Sequence, residues 1–148
     1  MTKCPTIISL QTKPDTTGYW SGSVSILHTN ADQITMSSNV DGTGPVASAN
    51  DLADRIARLT ERLTKQSSSG FSRDSIFVRI EASDVPNLIL VDLPGIIRTT
   101  TVGQSKDVIT EVDNMLNYFM TQPRTIILAV VPANQVLYIH VLLLVYLS

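Results

Sequence analysis

Leu88-Ile89-Leu90-Val91-Asp92-Leu93-Pro94-Gly95 is the stretch that decides the fold of this chain of 148 residues. Its unbroken apolar run predicts a strand buried on both faces, as in the parallel sheets of α/β proteins. Asp92 stands where that strand ends, and ligands bind at this edge of open α/β sheets. A carboxylate there can hold a hydrated Mg²⁺, and Gly95 can bring its bare backbone N–H close to a phosphate oxygen. Asp-x-x-Gly alone is a weak signal, because a strand followed by a Pro-Gly turn gives the same pattern.

The composition allows one domain with a real core and excludes several classes of protein. The chain is 43% hydrophobic and 16% charged, which is enough apolar material for a single core. Its net charge of −2 predicts no broad basic face for nucleic acid. The single cysteine, Cys4, excludes an internal disulfide and suits a reducing, cytoplasmic compartment. No apolar h-region follows a basic start in residues 1–5, so we expect no signal peptide there.

Alternating and apolar runs predict four further strands. Thr6–Leu10 follows a proline and is β-branched, and Val24 and Ile26 alternate with serines. We interpret Thr12-Lys13-Pro14-Asp15 as the turn of a hairpin between these two strands. Ser75–Ala82 also alternates and precedes a short turn, so we expect it to pair antiparallel with the strand ending at Asp92. Thr125–Val131 is predicted to be another buried strand.

Two helices are expected, and the first is the clearer. Ser48–Lys65 carries one apolar stripe, formed by Leu52, Ile56, Leu59 and Leu63. Ser48 with Asp51 three residues later resembles a capping box at the start of the helix. The pairs Asp54 with Arg58 and Glu61 with Lys65 are expected on the solvent-exposed side of the helix. Residues 37–50 before the helix are expected to be loop. The second helix covers Ser105–Met120.

Several segments resemble the dynamin-superfamily GTPases, and the Mx-type branch in particular. Val85–Ile96, followed by Val102-Gly103-Gln104, is similar to their switch II region, and Thr2-Lys3-Cys4-Pro5 is similar to the end of switch I. Tyr19–Ser25 and the phrase Val-x-Pro-Ala-Asn ending at Asn134 add to the resemblance, which runs from Thr2 to about Asn134. It implies an α/β fold: a partial P-loop GTPase (dynamin-type G domain) with a mixed sheet and flanking helices, its central P-loop strand missing. The expected organisation is a partial G domain over 1–134 and an unrelated apolar tail over 135–148.

The resemblance also implies a site and a chemistry, namely GTP binding and Mg²⁺-dependent GTP hydrolysis coupled to self-assembly. Thr2 would be catalytic, positioning the attacking water, and would also contact the metal. Asp92 would hold the metal through a water, and Asp92, Pro94 and Gly95 would form the nucleotide contacts. Gln104 and the loop before it would be switch II, which senses the γ-phosphate. Other dynamin-like chains, and membranes or microtubules, are the partners that the family implies.

Two parts of such a site are missing from the sequence. The P-loop pattern G-x-x-x-x-G-K-[ST] occurs nowhere in the chain, and it supplies the backbone N–H groups, the lysine and a metal-binding hydroxyl. Thr12-Lys13-Pro14-Asp15 reads like the guanine-recognition motif, but it stands far ahead of Asp92 instead of after it. We therefore expect negligible turnover by this chain alone, with neither nucleotide nor metal held firmly. The strands ending at Asp92 and Val131 would also lose a neighbour.

A non-enzymatic reading stays open beside the GTPase reading. The chain would then be a truncated product that contacts other chains through exposed strand edges, or membranes through Val136–Leu147. That tail has fewer residues than the roughly 20 that a spanning helix needs, so a membrane anchor is the lesser expectation.

Overall fold

The computed structural model describes residues 2–14, 18–30, 33–38, 40–67, 69–95 and 107–130. The chain divides into two compact units, Met1–Asn117 and Tyr118–Ser148. The elements in chain order are β1 (Thr6–Thr12), β2 (Trp20–Asn30), β3 (Gln33–Ser37), β4 (Gly44–Val46), α1 (Ala49–Lys65), β5 (Ser75–Ala82), β6 (Leu88–Asp92) and α2 (Asp107–Met120). The mixed α/β character expected from the sequence is confirmed.

The strands form one mixed sheet in the order β3-β2-β5-β1-β6, with β4 also pairing with β2. Strands β1 and β5 run parallel, with Thr6 opposite Ile76, whereas β6 pairs antiparallel with β1. Strand β5 also pairs antiparallel with β2. The predicted hairpin of β1 with β2 is therefore wrong, because β5 lies between these two strands. The predicted hairpin of β5 with β6 is also wrong, because β1 lies between them. Each turn joins strands two places apart in the sheet.

Helix α1 covers one face of the sheet and closes the core. Val24 and Ile26 of β2 and Ile76 and Val78 of β5 are buried under it. The predicted apolar stripe of α1 is confirmed, since its members either are buried or pack against this core: Leu52, Ile56, Leu59 and Leu63.

The start of α1 follows the box predicted from Ser48 and Asp51. The Ser48 hydroxyl accepts a hydrogen bond from the Asp51 N–H at 3.2 Å, while the Asp51 carboxylate accepts one from the Ala47 N–H at 2.9 Å. These bonds satisfy backbone donors that a helix N-terminus leaves free. The pair Lys65–Glu61 also forms, at 2.6 Å. The expected Asp54–Arg58 ion pair does not, because Arg58 Nε donates to the backbone carbonyl of Asp54.

Strand β6 departs most from the sequence prediction. Its four apolar residues, Leu88–Val91, are 40% to 65% exposed instead of buried on both faces. The reason is its place at the edge of the sheet, where β1 is the strand that pairs with it among the described residues. The continuous apolar run correctly predicts a strand but not the neighbours needed to cover it.

Thr125–Val131 was also predicted as a buried strand, and for the described part, 125–130, this is wrong. These residues form no strand, and Ile126 is 95% exposed. An apolar run becomes a strand only when other backbone groups pair with it, and none of the described strands does so.

The remaining elements agree in part with expectation. Helix α2 covers the described part of the second predicted helix, and Val108, Val112, Met115 and Leu116 on it are buried. Residues 37–50 were expected to be loop, yet Gly44–Val46 adds the short strand β4 to β2. Among the residues that the structure describes, no helix has the length and apolarity needed to cross a bilayer.

Candidate functional site

The segment before β1 is fixed in place by β5 and by the residues just before β5. The Ser72 N–H donates to the Lys3 carbonyl at 3.0 Å, and the Ile76 N–H donates to the Pro5 carbonyl at 2.9 Å. Between these two bonds the Cys4 side chain is fully buried in the core. The backbone of Thr2, two residues before Cys4, is therefore held close to the sheet.

Thr2 and Asp92 meet at the edge of the sheet. Asp92 is the last residue of β6 and lies opposite Thr6 of β1, so the residues that precede Thr6 pass beside it. The Thr2 hydroxyl donates a hydrogen bond to Asp92 Oδ2 at 3.0 Å. Two residues that are 90 positions apart in the sequence thus form one polar cluster at the end of β6.

The chain beyond Asp92 combines a buried proline with an open glycine. Pro94 is fully buried and fixes where the backbone leaves the sheet. Gly95 is exposed, and a Cβ built on it would meet no atom within 4 Å. Packing against the described residues therefore does not require glycine at this position. The open space beside its backbone is what close approach of a ligand oxygen needs.

Burial controls the charge state of Cys4, which lies beneath this cluster. Removal from water raises the pKa of the Cys4 thiol, against the opposing effect of a 3.9 Å hydrogen bond to the Thr60 hydroxyl. The carboxylates of Asp74 and Asp92 raise this pKa further, because they repel a thiolate. Cys4 is thus a neutral core residue that anchors the segment carrying Thr2.

The donor atoms of Thr2 and Asp92 suit a magnesium ion that is shared with a phosphate. Both supply hard oxygen atoms, and Mg²⁺ in nucleotide sites typically takes one or two protein oxygens together with waters and phosphate oxygens. Among the described residues, no group of three or more His, Cys, Asp or Glu side chains could hold a metal on its own. The cluster therefore fits part of a metal–phosphate site and not an all-protein metal cage.

Thr12 and Lys13, from the motif that resembles guanine recognition, have structural partners instead. The Thr12 hydroxyl donates to the Val85 carbonyl at 2.7 Å, and its N–H donates to Asn87 Oδ1 at 2.8 Å. Lys13 Nζ lies 3.7 Å from Glu81 Oε2. These contacts tie the end of β1 to the turn before β6. They give Thr12 and Lys13 a role that needs no nucleotide.

The sequence did not reveal the partner of His28. His28 Nδ1 lies 2.8 Å from Asp74 Oδ2, and Asp74 Oδ1 accepts from the Thr29 N–H at 3.1 Å. These contacts link the end of β2 to the residue that precedes β5. Gln104, the loop over 98–104 and the apolar tail lie outside the described residues.

Comparisons with known proteins agree with the mixed α/β sheet. A family model described as "Dynamin family" matches residues 1–143. The interferon-induced GTP-binding protein Mx of Ctenopharyngodon idella is 43% identical over 65 residues, which are 44% of this chain and 10% of that protein. Phragmoplastin DRP1A of Arabidopsis thaliana is 38% identical over 76 residues, which are 51% of this chain and 12% of that protein. The matched segments thus span about a tenth of the length of these relatives.

Proposed function

Because this chain belongs to the dynamin family, we propose that it carries one half of a magnesium–phosphate site for GTP. The observation that supports this proposal is the 3.0 Å hydrogen bond between Thr2 and Asp92. It joins a threonine from the segment similar to switch I and an aspartate from the segment similar to switch II. In this proposal the two side chains act together at the end of β6.

Each residue of the cluster has a chemical task in this proposal. Asp92 would hold the metal through a water, and the Thr2 hydroxyl would contact the metal and orient the attacking water. Gly95 offers its backbone N–H to a γ-phosphate oxygen, while buried Pro94 fixes the path of the backbone between Asp92 and Gly95. A bound Mg²⁺ would supply the positive charge that phosphoryl transfer needs. Gln104 and the residues before it would form the loop that responds to hydrolysis.

The chain alone is proposed to hydrolyse GTP at a negligible rate. Phosphoryl transfer depends on positioning and on charge stabilisation, and the sequence contains no P-loop pattern to supply the lysine and the backbone cradle. Thr12 and Lys13, the remaining candidates for base recognition, are engaged by Val85, Asn87 and Glu81. Affinity for the base and for the β-phosphate should therefore be lost together.

A titration of mant-GTP with the chain in the presence of Mg²⁺ tests this account. We expect no saturable fluorescence change at micromolar nucleotide and no phosphate release above the buffer rate. Mant-ATP serves as the matched control, because a non-specific contact would affect both nucleotides equally. Saturable binding of mant-GTP but not of mant-ATP would mean that the chain recognises guanine by residues outside this proposal.

A second candidate function is non-enzymatic association through the edge of the sheet, and the exposure of β6 favours it. A strand edge with free backbone groups and exposed apolar side chains is a template for pairing with another chain. This candidate predicts association that increases with concentration, measurable by sedimentation equilibrium. A chain that stays monomeric at every concentration would exclude it.

The cellular setting follows from the same proposal. We propose a cytoplasmic protein, supported by a single buried cysteine with no disulfide partner in the sequence. Other dynamin-like chains are the proposed partners. Membrane or microtubule contacts stay predictions from the family resemblance.

A further inference from the structure

A hollow of about 420 Å³ lies beside the C-terminal half of α1. One side is the turn at Asp41 and Gly42, and the other carries Arg58, Arg62 and Lys65 from the helix. It shares no lining residue with the Thr2–Asp92 cluster. Neither the family resemblance nor the proposed GTP site uses any of these residues.

The turn that forms one wall is held firmly against the helix. Gly42 has a φ of +90°, and a Cβ there would lie 3.3 Å from Leu59 Cδ2. Leu59 is itself fully buried in the core. Arg62 Nη1 donates to the Asp41 carbonyl at 3.4 Å, which links the two walls directly. The hollow is therefore preformed, because the residues at its base are already packed.

Among the residues that the structure describes, two of the three cations that line the hollow form no ion pair with a carboxylate. Lys65 is neutralised by Glu61 at 2.6 Å. In contrast, the described ion pairs include neither Arg58 nor Arg62. Each guanidinium group donates a hydrogen bond to a backbone carbonyl, although a guanidinium carries five N–H donors. Most of their donors are therefore left for a ligand or for water.

We propose that this hollow docks an extended acidic segment of another protein, with carboxylates on Arg58 and Arg62. The two arginines are four residues apart on α1, a spacing that puts their Cβ atoms about 5–6 Å apart. Alternate residues of an extended strand are about 6.6–6.8 Å apart and lie on one face. Two carboxylates at alternate positions therefore match the two guanidinium forks, which bind carboxylates in a bidentate manner.

The acids at the rim select the kind of anion. Asp41 and Glu61 also line the hollow, but Glu61 is paired with Lys65. The charge of Asp41 repels two charges on one phosphate more strongly than two charges on carboxylates that are about 6.6–6.8 Å apart, because the second carboxylate lies farther away. Both arginines are exposed, so water and salt screen the attraction. We therefore expect weak binding, with a dissociation constant of about 0.1–1 mM that rises with ionic strength.

Fluorescence anisotropy with three labelled peptides tests the proposal on the full chain. The first has glutamates at alternate positions, the second has the same glutamates side by side, and the third has glutamine in place of each glutamate. We expect the first to bind, the second to bind more weakly and the third not to bind. Equal binding of the first two would overturn the spacing argument. Inorganic phosphate and the unlabelled first peptide are then compared as competitors of the labelled first peptide. Displacement by phosphate at a lower concentration than by the unlabelled peptide would overturn the proposal that the hollow prefers carboxylates.

Substitutions on α1 locate the binding on the protein. Arg58→Gln and Arg62→Gln should each weaken binding about three- to tenfold. Arg79→Gln, at an exposed position of β5, makes the same charge change elsewhere and should have no effect. Because both helix arginines are exposed, their variants should unfold at the same urea concentration as the parent chain. Binding that survives in the Arg58→Gln/Arg62→Gln double variant would overturn the proposal.

Discussion

Replacement of Ile89 by lysine measures how completely β6 is covered. Ile89 is 65% exposed, so only about a third of its side chain is removed from water. Full burial of an isoleucine contributes about 1.5–3 kcal/mol, and a third of that is about 0.5–1 kcal/mol. The lysine stem can keep part of this apolar contact while its ammonium stays in water. We therefore expect Ile89→Lys to lower the free energy of unfolding by no more than about 1 kcal/mol.

The same substitution at Ile76 is the matched control. Ile76 on β5 is fully buried, so a lysine there would place a charge in the core and should unfold the chain. Urea unfolding followed by the fluorescence of Trp20, the single tryptophan, gives the free energy for Ile89→Lys and should show no unfolding transition for Ile76→Lys. In sedimentation equilibrium, Ile89→Lys should also reduce any association of the chain, because a lysine on a strand edge opposes pairing. A loss above about 2 kcal/mol at Ile89 would refute the reasoning, because a loss that large would require a buried side chain.

Three further predictions concern packing and charge. Gly22→Ala should destabilise the chain by about 1–3 kcal/mol, because the new Cβ would lie 2.5 Å from Val46 Cγ2. Gly95→Ala is the control, since a Cβ there meets no described atom within 4 Å, and it should leave urea unfolding unchanged. Equal losses of stability in the two variants would contradict the close packing around Gly22 of β2. Burial raises the pKa of the Cys4 thiol. The stability that the neutral thiol contributes should therefore be complete below the ordinary thiol pKa of about 8.5 and should fall as pH rises above that value. Rapid reaction of the folded protein with a thiol reagent at neutral pH would contradict the burial of Cys4. The hydrogen bond from Arg55 lowers the pKa of the Asp51 carboxyl, so the stability it gives should be present above about pH 3.9 and be lost as pH falls below that. Asp51→Asn should melt at a lower temperature than the parent near neutral pH, and the gap should close in acid.

The sequence predicts local structure here better than it predicts strand order. The α1 stripe of Leu52, Ile56, Leu59 and Leu63 and its Ser48 cap depend on residues within one helix, and both are confirmed. Strand β5 alternates as expected, but its partners β1 and β2 are fixed by contacts between distant segments. A turn after Ala82 is equally compatible with a hairpin and with a crossing to the far side of β1. Alternation in one strand carries no information to separate the two.

The same limit explains the errors in burial. Leu88–Val91 and Ile126–Val130 are apolar enough for a central strand, yet burial needs neighbours that composition does not reveal. The proximity of Thr2 and Asp92 was expected from the resemblance and not from spacing. The structure brings the two side chains into contact, whereas their roles toward metal and nucleotide stay predictions. Gln104 lies outside the described residues, and its role also stays a prediction.

Line broadening by Mn²⁺ in the presence of GTP, observed in NMR spectra of the ¹⁵N-labelled chain, tests the proposed half-site most directly. Mn²⁺ takes oxygen ligands as Mg²⁺ does and broadens signals even from a weakly populated complex. The account predicts selective broadening at Thr2 and Lys3 and from Asp92 to Gly95, with loss of that broadening in Asp92→Asn. Broadening that is equally strong at unrelated carboxylates such as Asp54, or that survives Asp92→Asn, would contradict it.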